Sequence, residues 1–431
     1  MDVSELKRQA CAAIDAYADT VIAFGEDILA HPELGYKEFR TSRKLREALE
    51  NLGLNDVNTC GITGLKAWLK KGEGPNVAVI GELDAVISPQ HPMADLKTGA
   101  AHACGHNAQL AALLGAAYGL SAVKDSLSGG ICLIGAPAEE FVEIGWRSQQ
   151  KMDGKIAYLG GKQQLIYEGA FDDVDMAMML HSETDAPCDR IVVNGPAGGF
   201  IGKEVTFLGK EAHAGGAPWD GVNALNAASL AIMGIHANRE TFRDEDRVRV
   251  HPILTKGGDL VNTVPADVRM ESYVRAASIS SMMSANAKVN RSIQGAAFMV
   301  GAEVDIRDIP GYLPMKQNAA MSQLFEKNAK EIAPELSVEH GHVFCGSTDM
   351  GDLSYLIPVI QPTITGFAGA AHSKDFRITD KIQAYILPAK LMAATVIDLL
   401  VNRAERGAGV MRDSDIKDKK DYFDLWNSIT G

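Results

Sequence analysis

A thiol and two imidazoles lie within five positions in His102-Ala-Cys-Gly-His-Asn107, where a polar loop gives way to the apolar run Ala108-Gln-Leu-Ala-Ala-Leu-Leu114. Cys104 and His106, two apart on a turn, can point side by side into one cavity. A thiolate and a neutral imidazole both suit a borderline-soft divalent ion. Alone, the triplet reads equally well as a small buried hydrophobe between two satisfied histidines. Three apolar runs change that reading. Asn76-Val-Ala-Val-Ile-Gly-Glu-Leu-Asp84 finishes in two carboxylates, Gly130 to Glu140 finishes in Glu139-Glu140, and Asp173 to His181 finishes in a histidine. Adjacent carboxylates at a strand exit repel each other unless a positive charge sits between them. A further histidine, His372, follows the small-residue stretch Gly366-Phe-Ala-Gly-Ala-Ala. The candidates are therefore Cys104, His106, Glu139, Glu140, His181 and His372. Two divalent ions take about four to five protein ligands and leave room for water and substrate. Five of the six can fill that shell, and one carboxylate is left to act as a general base in hydrolysis.

These groups need a sheet to carry them. Apolar periodicity predicts helices over 3–30 and 38–52, then strands over 64–69 and 76–84. The runs at 76–84, 130–140 and 173–181 are apolar on both faces, as strands covered by helices on both sides are. Open α/β sheets place their sites at the carboxyl ends of such strands. Residues 141–170 read as an excursion with a short helix. From 194 to 310 the rhythm becomes β-α-β-β-α-β, the ferredoxin-like split unit. Its exposed edge is a natural pairing surface. The expected organisation is a catalytic domain over 1–193 and 311–431 interrupted by an inserted α+β lid and dimerisation domain at 194–310. In the last part, a helix at 318–332, a strand at 359–365, a helix at 381–400 and an exposed charged tail from Arg403 are expected.

Fifty-five acidic against 42 basic side chains leave a formal charge of −13, which argues against nucleic acid or an anionic membrane as partner. No basic segment leads into an apolar one at the start, and the run 108–123 is short for a membrane span. The cysteines, Cys11, Cys60, Cys104, Cys132, Cys188 and Cys345, are scattered, as reduced thiols of a cytoplasmic protein are. His31 reads as a helix-end residue. His91, His236, His251, His340 and His342 carry no motif, and Cys345 reads as buried.

Taken together, His102-Ala-Cys-Gly-His-Asn107, Pro137-Ala-Glu-Glu140, His31-Pro-Glu-Leu34, Ala212-His-Ala214 and His372-Ser-Lys-Asp-Phe376 resemble the co-catalytic metallopeptidases of the aminoacylase and carboxypeptidase G superfamily. The branch they resemble includes hippurate hydrolase, auxin-conjugate hydrolases and p-aminobenzoyl-glutamate hydrolase. The resemblance implies a metal-dependent amidohydrolase with a mixed-sheet α/β catalytic domain. It implies Cys104, His106, Glu140, His181 and His372 as ligands of two metals, zinc or manganese first, cobalt or nickel next. Glu139 would be the general base, Asp84 would orient the ligands, and His213 would reach a partner subunit's site to stabilise the oxyanion. Asn262 and Arg275 would hold the substrate carboxylate. An Asn at 107, where many relatives carry Asp, points to the aminobenzoyl-glutamate and dipeptidase subgroup and lowers the charge beside the metals. The rival reading is a catalytically silent binding protein of the same fold, which would lack a base or a ligand.

Overall fold

The computed structural model describes residues 2–184, 189–341 and 346–430. Cys188, His342 and Cys345 lie outside the described residues. The chain divides into two compact units. The first comprises residues 1–196, 316–342 and 352–417; the second comprises 197–315, 343–351 and 418–431.

The first unit opens with α1 (Val3–Ala16) and α2 (Ala18–Leu29), where one helix was expected. The break falls at Tyr17, whose φ of −108° and ψ of 14° leave the helical region. The buried stripe Leu6, Ala10, Ile14, Val21, Gly25, Ile28 runs on across it, so periodicity could not reveal it. Then come α3 (Phe39–Asn51), β1 (Val57–Cys60), β2 (Gly64–Lys70) and β3 (Asn76–Glu82). A two-residue ladder, β4 (Val86–Ile87) with β5 (Ala100–Ala101), leads into α4 (His106–Ser121). β6 (Gly130–Ala136) follows, then α5 (Ile144–Met152), α6 (Gly161–Tyr167), β7 (Met176–Met178), β8 (His181–Ser182) and β9 (Arg190–Val193).

The second unit has the predicted order: β10 (Gly199–Leu208), α7 (Ala224–Ala237), β11 (Arg249–Lys256), β12 (Asp267–Ala276), α8 (Ile279–Val300) and β13 (Glu303–Tyr312). Its sheet is antiparallel throughout, in the order β11-β12-β10-β13. Ser278 caps α8 by accepting the Ser281 N–H, and Gly301 ends it at a φ of 72°.

The chain returns to the first unit with α9 (Ala319–Ile332) and β14 (Ser337–His340). After α10 (Met350–Leu356) the expected strand is two short ones, β15 (Val359–Ile360) and β16 (Thr363–Ile364). The hairpin β17 (Phe367–Ala368) with β18 (Arg377–Ile378) precedes one turn of π-helix over Ile382–Ile386 that runs into α11 (Leu387–Leu400). The stretch Ile382–Leu400 is long and apolar enough to cross a membrane, but 83% of its apolar window is buried against neighbours that include α4, α1 and α9. The central sheet runs β1-β2-β6-β3-β7-β15, with β3, β6, β7 and β15 parallel.

The expected exposed tail is instead two helices, α12 (Glu405–Arg412) and α13 (Lys419–Thr430). The second packs on β13 and buries Tyr422, Trp426 and Ile429. Those three, at i, i+4 and i+7, form an apolar stripe that the surrounding charges mask. Trp426→Ala should therefore cost about 3–5 kcal/mol, read as a lowered urea midpoint, as for any buried Trp truncated in a core. An exposed tail would show a change near zero.

Candidate metal centre

Five chain segments of the first unit build the candidate centre. β3 hands over to Leu83-Asp84, and β6 to Pro137-Ala-Glu-Glu140. Gly105, at a φ of 86°, turns the chain into α4 directly beneath Ser182; a β-carbon there would sit 3.1 Å from the Ser182 side chain. That positive φ is why a glycine separates Cys104 from His106. His181 was expected to end a strand of the same sheet. Instead β7 stops at Met178, and the chain passes to β8 in a second sheet, ordered β14-β9-β16-β8. Met179 and His181 donate to the carbonyls of Ile360 and Pro362, so residues far along the chain fix where His181 emerges. His372, at a φ of 62°, is pinned by its N–H to the Ala103 carbonyl at 2.8 Å.

The donor atoms converge. Cys104 Sγ lies 3.4 Å from His181 Nε2 and 3.3 Å from His372 Nε2. His372 Nε2 is 3.1 Å from Glu140 Oε1. Atoms sharing one tetrahedral ion at 2.0–2.3 Å are spaced by roughly this distance. Cys104, His106 and His181 form one group of possible ligands; Cys104, Glu140 and His372 form another, with the sulfur common to both. His106 donates from Nδ1 to the Asp84 carbonyl at 2.9 Å, which turns the Nε2 lone pair inward. Asp84 also accepts the Glu140 N–H at 2.8 Å through Oδ2. His106 Nε2 and Glu140 Oε1 are buried and lack an aligned hydrogen-bond partner, which a bound cation would supply. The donor set thus fits divalent metal. Glu139 belongs to neither group. Its Oε2 is 3.9 Å from His106 Nε2.

Charge follows the same logic. Burial and the Glu140 carboxylate push the Cys104 thiol up, but His181 and His106 outweigh them and bring it down to about 6. Burial opposes a charged His372, yet the Cys104 sulfur and the Glu140 carboxylate beside it lift it to about 11. Burial above all holds His102 neutral, at about 3.

Glu82, one of the two carboxylates that end the 76–84 run, carries no assigned role in the sequence reading, and Lys162 escapes it altogether. Glu82 lies 3.1 Å from His106 Nε2 and joins His106 and Glu139 in a third group of possible ligands, one without the Cys104 sulfur. The wholly buried Lys162 of α6 holds it at 2.5 Å, and Gln109 donates to it at 2.9 Å. Burial would raise the Glu82 carboxyl, but Lys162 and His106 bring it down to about 2. Asn107 does not face this centre. It donates to the Gly25 carbonyl at 3.2 Å and to Tyr385 at 3.1 Å, which an aspartate could not do.

His213, Asn262 and Arg275 belong to the second unit. The exposed His213 accepts on Nδ1 from the N–H groups of Gly215 and Gly216, at 3.2 and 2.8 Å, which leaves its proton on Nε2. The Asn262 carbonyl accepts the Ala214 N–H at 2.9 Å, tying its loop to that of His213. Arg275 lies over the adjoining Phe200 and Tyr273 rings and donates to Ser347 at 2.9 Å.

A family profile described as peptidase family M20/M25/M40 matches residues 78–398. The chain belongs to this family. Mouse Xaa-Arg dipeptidase is 29% identical over 429 residues, covering 93% of this chain and 90% of the relative. A p-aminobenzoyl-glutamate hydrolase chain of Escherichia coli (strain K12) is 26% identical over 477 residues, with 93% of each chain covered. The crystal structure of Bacillus subtilis YXEP protein, described as a dinuclear metal binding peptidase from the M20 family, shares the fold at a TM-score of 0.68 and 22% identity. The match spans 90% of this chain and 99% of that one. The family resemblance carried by the motifs is thereby borne out, and this M20 chain is a metal-dependent amidohydrolase or peptidase.

Removing Lys162 tests the charge balance. Lys162→Met strands the Glu82 anion, and breaking a buried pair this way costs about 3–5 kcal/mol. In the parent, the depressed Glu82 pKa contributes stability above the ordinary carboxyl range that is lost as pH falls toward 2. The variant lacks that contribution and relaxes by protonating Glu82. Its deficit in urea midpoint should therefore be largest at neutral pH and shrink toward about pH 4, the ordinary carboxyl range. A deficit independent of pH would count against the pairing.

Proposed function

We propose that this M20 enzyme is a two-metal amidohydrolase that cleaves the amide bond of a small carboxylate-bearing substrate: a dipeptide, an aminobenzoyl-glutamate-like conjugate or an N-acyl amino acid. The observation that carries the proposal is the pair of three-donor groups sharing Cys104, with Glu139 beside them and in neither. Cys104, His106 and His181 would hold one ion and Cys104, Glu140 and His372 the other, zinc or manganese before cobalt or nickel. When bound, the ions supply Lewis acidity, polarising the amide carbonyl and lowering the pKa of a water. Glu139 takes the proton of that attacking water and returns it to the leaving nitrogen. Asp84 fixes the His106 tautomer and braces the Glu140 backbone. His213, with its proton on Nε2, is suited to donate to the carbonyl oxygen as negative charge develops there. Asn262 and Arg275 would grip the substrate carboxylate, and the stacking of Arg275 on two aromatic rings pre-orients its fork.

The 194–310 domain is read as lid and dimerisation domain. The outer strand β11 supports this, since it exposes Ile253 and Leu254 along an edge of its sheet. The names of the mouse and E. coli relatives favour dipeptides and aminobenzoyl-glutamate as first substrates. The acidic balance and scattered cysteines fit a cytoplasmic enzyme acting on small molecules.

Metal analysis beside a hydrolysis panel of dipeptides with basic residues, aminobenzoyl-glutamate, hippurate and N-acetyl amino acids tests the reading. About two metals per chain and turnover of one panel class are expected. No metal and no turnover after adding zinc, manganese or cobalt would favour the silent binding protein. Glu139→Gln should lower kcat by about 100-fold or more while leaving metal content unchanged, as loss of a general base does. Normal turnover in that variant would remove Glu139 from the mechanism.

A further inference from the structure

The motif His31-Pro-Glu-Leu-Gly-Tyr-Lys-Glu38 supplies no ligand, yet residues 33–38 touch both strand exits that carry the carboxylates of the centre. On one side the Glu33 carbonyl accepts the Ala85 N–H at 2.8 Å, next to Asp84, and Leu34 pairs with Ala85. On the other, Glu38 Oε1 accepts the Ala138 N–H at 2.8 Å, immediately before Glu139. Glu38 is wholly buried, and its other oxygen accepts the Thr63 hydroxyl at 2.6 Å.

Ala138 holds a φ of 50°, a left-handed conformation that an alanine adopts only when its surroundings enforce it. Those surroundings grip both ends of the residue. Its N–H goes to Glu38, and its carbonyl accepts the Gly161 N–H at 3.0 Å with Arg147 Nη1 at 3.5 Å. Gly35 passes so close that a β-carbon there would lie 2.8 Å from the Ala138 Cα and would strike the Arg147 guanidinium. Glu33 anchors the segment to α3 by accepting the N–H groups of Arg40 and Thr41 and the Thr41 hydroxyl, at 2.7 to 3.0 Å.

We propose that Glu38 is a positioning residue for the hydrolysis: through the Ala138 N–H it holds the left-handed kink that directs Glu139 and Glu140 out of β6. The two Glu38 oxygens take the Ala138 and Thr63 donors together, although burial and the nearby Asp84 charge push its carboxyl up to about 7. Burying a carboxyl group is expensive, and the kink is what it maintains. His31-Pro-Glu-Leu-Gly-Tyr-Lys-Glu38 thereby becomes a buckle across two strand exits. This inference rests on the reading of Glu139 as base and Glu140 as ligand.

The test uses the full-length, metal-loaded enzyme with Glu38→Ala, Glu38→Gln and Glu139→Gln measured side by side. Glu38→Ala should lower kcat about 10- to 100-fold, as displacing a catalytic group by a fraction of an ångström to an ångström does, with KM changed less than about threefold. Glu38→Gln keeps an oxygen for the Ala138 N–H and should restore kcat to within about threefold of the parent, a rescue that a general loss of packing would not show. If Glu38→Ala does not fold, Thr63→Val replaces it. Loosening Glu38 should then lower kcat about threefold or more, with Thr63→Ser restoring it. The proposal is overturned if a folded Glu38→Ala or, in its place, Thr63→Val keeps kcat within about twofold of the parent. A dead Glu139→Gln beside a fully active Glu38→Ala sinks only the positioning role. An active Glu139→Gln sinks the base reading itself.

Discussion

The carboxyl groups of Glu38, Glu82, Asp84, Glu139 and Glu140 are buried close to one another around the candidate centre, together with the Cys104 thiol. Acids crowded in a dry place raise one another's pKa and weaken the fold that holds them. Most of the local structure can be understood as an answer to that constraint. Lys162 is carried into the interior on α6 to face Glu82. The Glu140 and Ala138 N–H groups go to the carboxylates of Asp84 and Glu38 rather than to strand partners. Imidazoles of His106, His181 and His372 are spaced around the sulfur and the remaining oxygens. What these contacts leave unanswered, at His106 Nε2 and Glu140 Oε1, is the want of a divalent cation.

The same constraint explains which parts of the centre were legible in the sequence. Cys104-Gly-His106 and Glu139-Glu140 could be read because each pair is local and sits at a change from apolar to polar chain. The split β-α-β-β-α-β unit could be read because its period changes are regular along the whole of it. His181 was legible as a residue but not in its placement. The run from 173 to 181 reads as one strand, and only pairing with residues 360–364 divides it between two sheets. Lys162 and Glu38 were not legible as functional groups, since a lysine in a short helix and a glutamate before one look like solvated surface until the fold closes over them. Asn107 was misread for a related reason. Its neighbour His106 faces the donors, but one step along a helix rotates the next side chain toward Gly25 and Tyr385.

The glycines that matter here permit close approach rather than flexibility. Gly105 allows the turn that separates Cys104 from His106, and Gly35 lets one backbone lie against another at Ala138, just before Glu139. Ala138 has the converse role. It keeps a β-carbon in a conformation that favours glycine, so its geometry is held by partners and is not a free choice of the chain.

The helix α13 gives the second unit an unusual schedule of assembly. β13 ends at Tyr312, and the helix that covers it begins at Lys419, after the whole second half of the first unit has been made. A ribosome adding roughly 5–20 residues per second takes on the order of ten seconds to cross that gap. During that interval the surface that will bury Tyr422 and Trp426 stands open to whatever is near the nascent chain. A holdase chaperone, or a neighbouring chain on the same message, would meet that surface before the proper helix does.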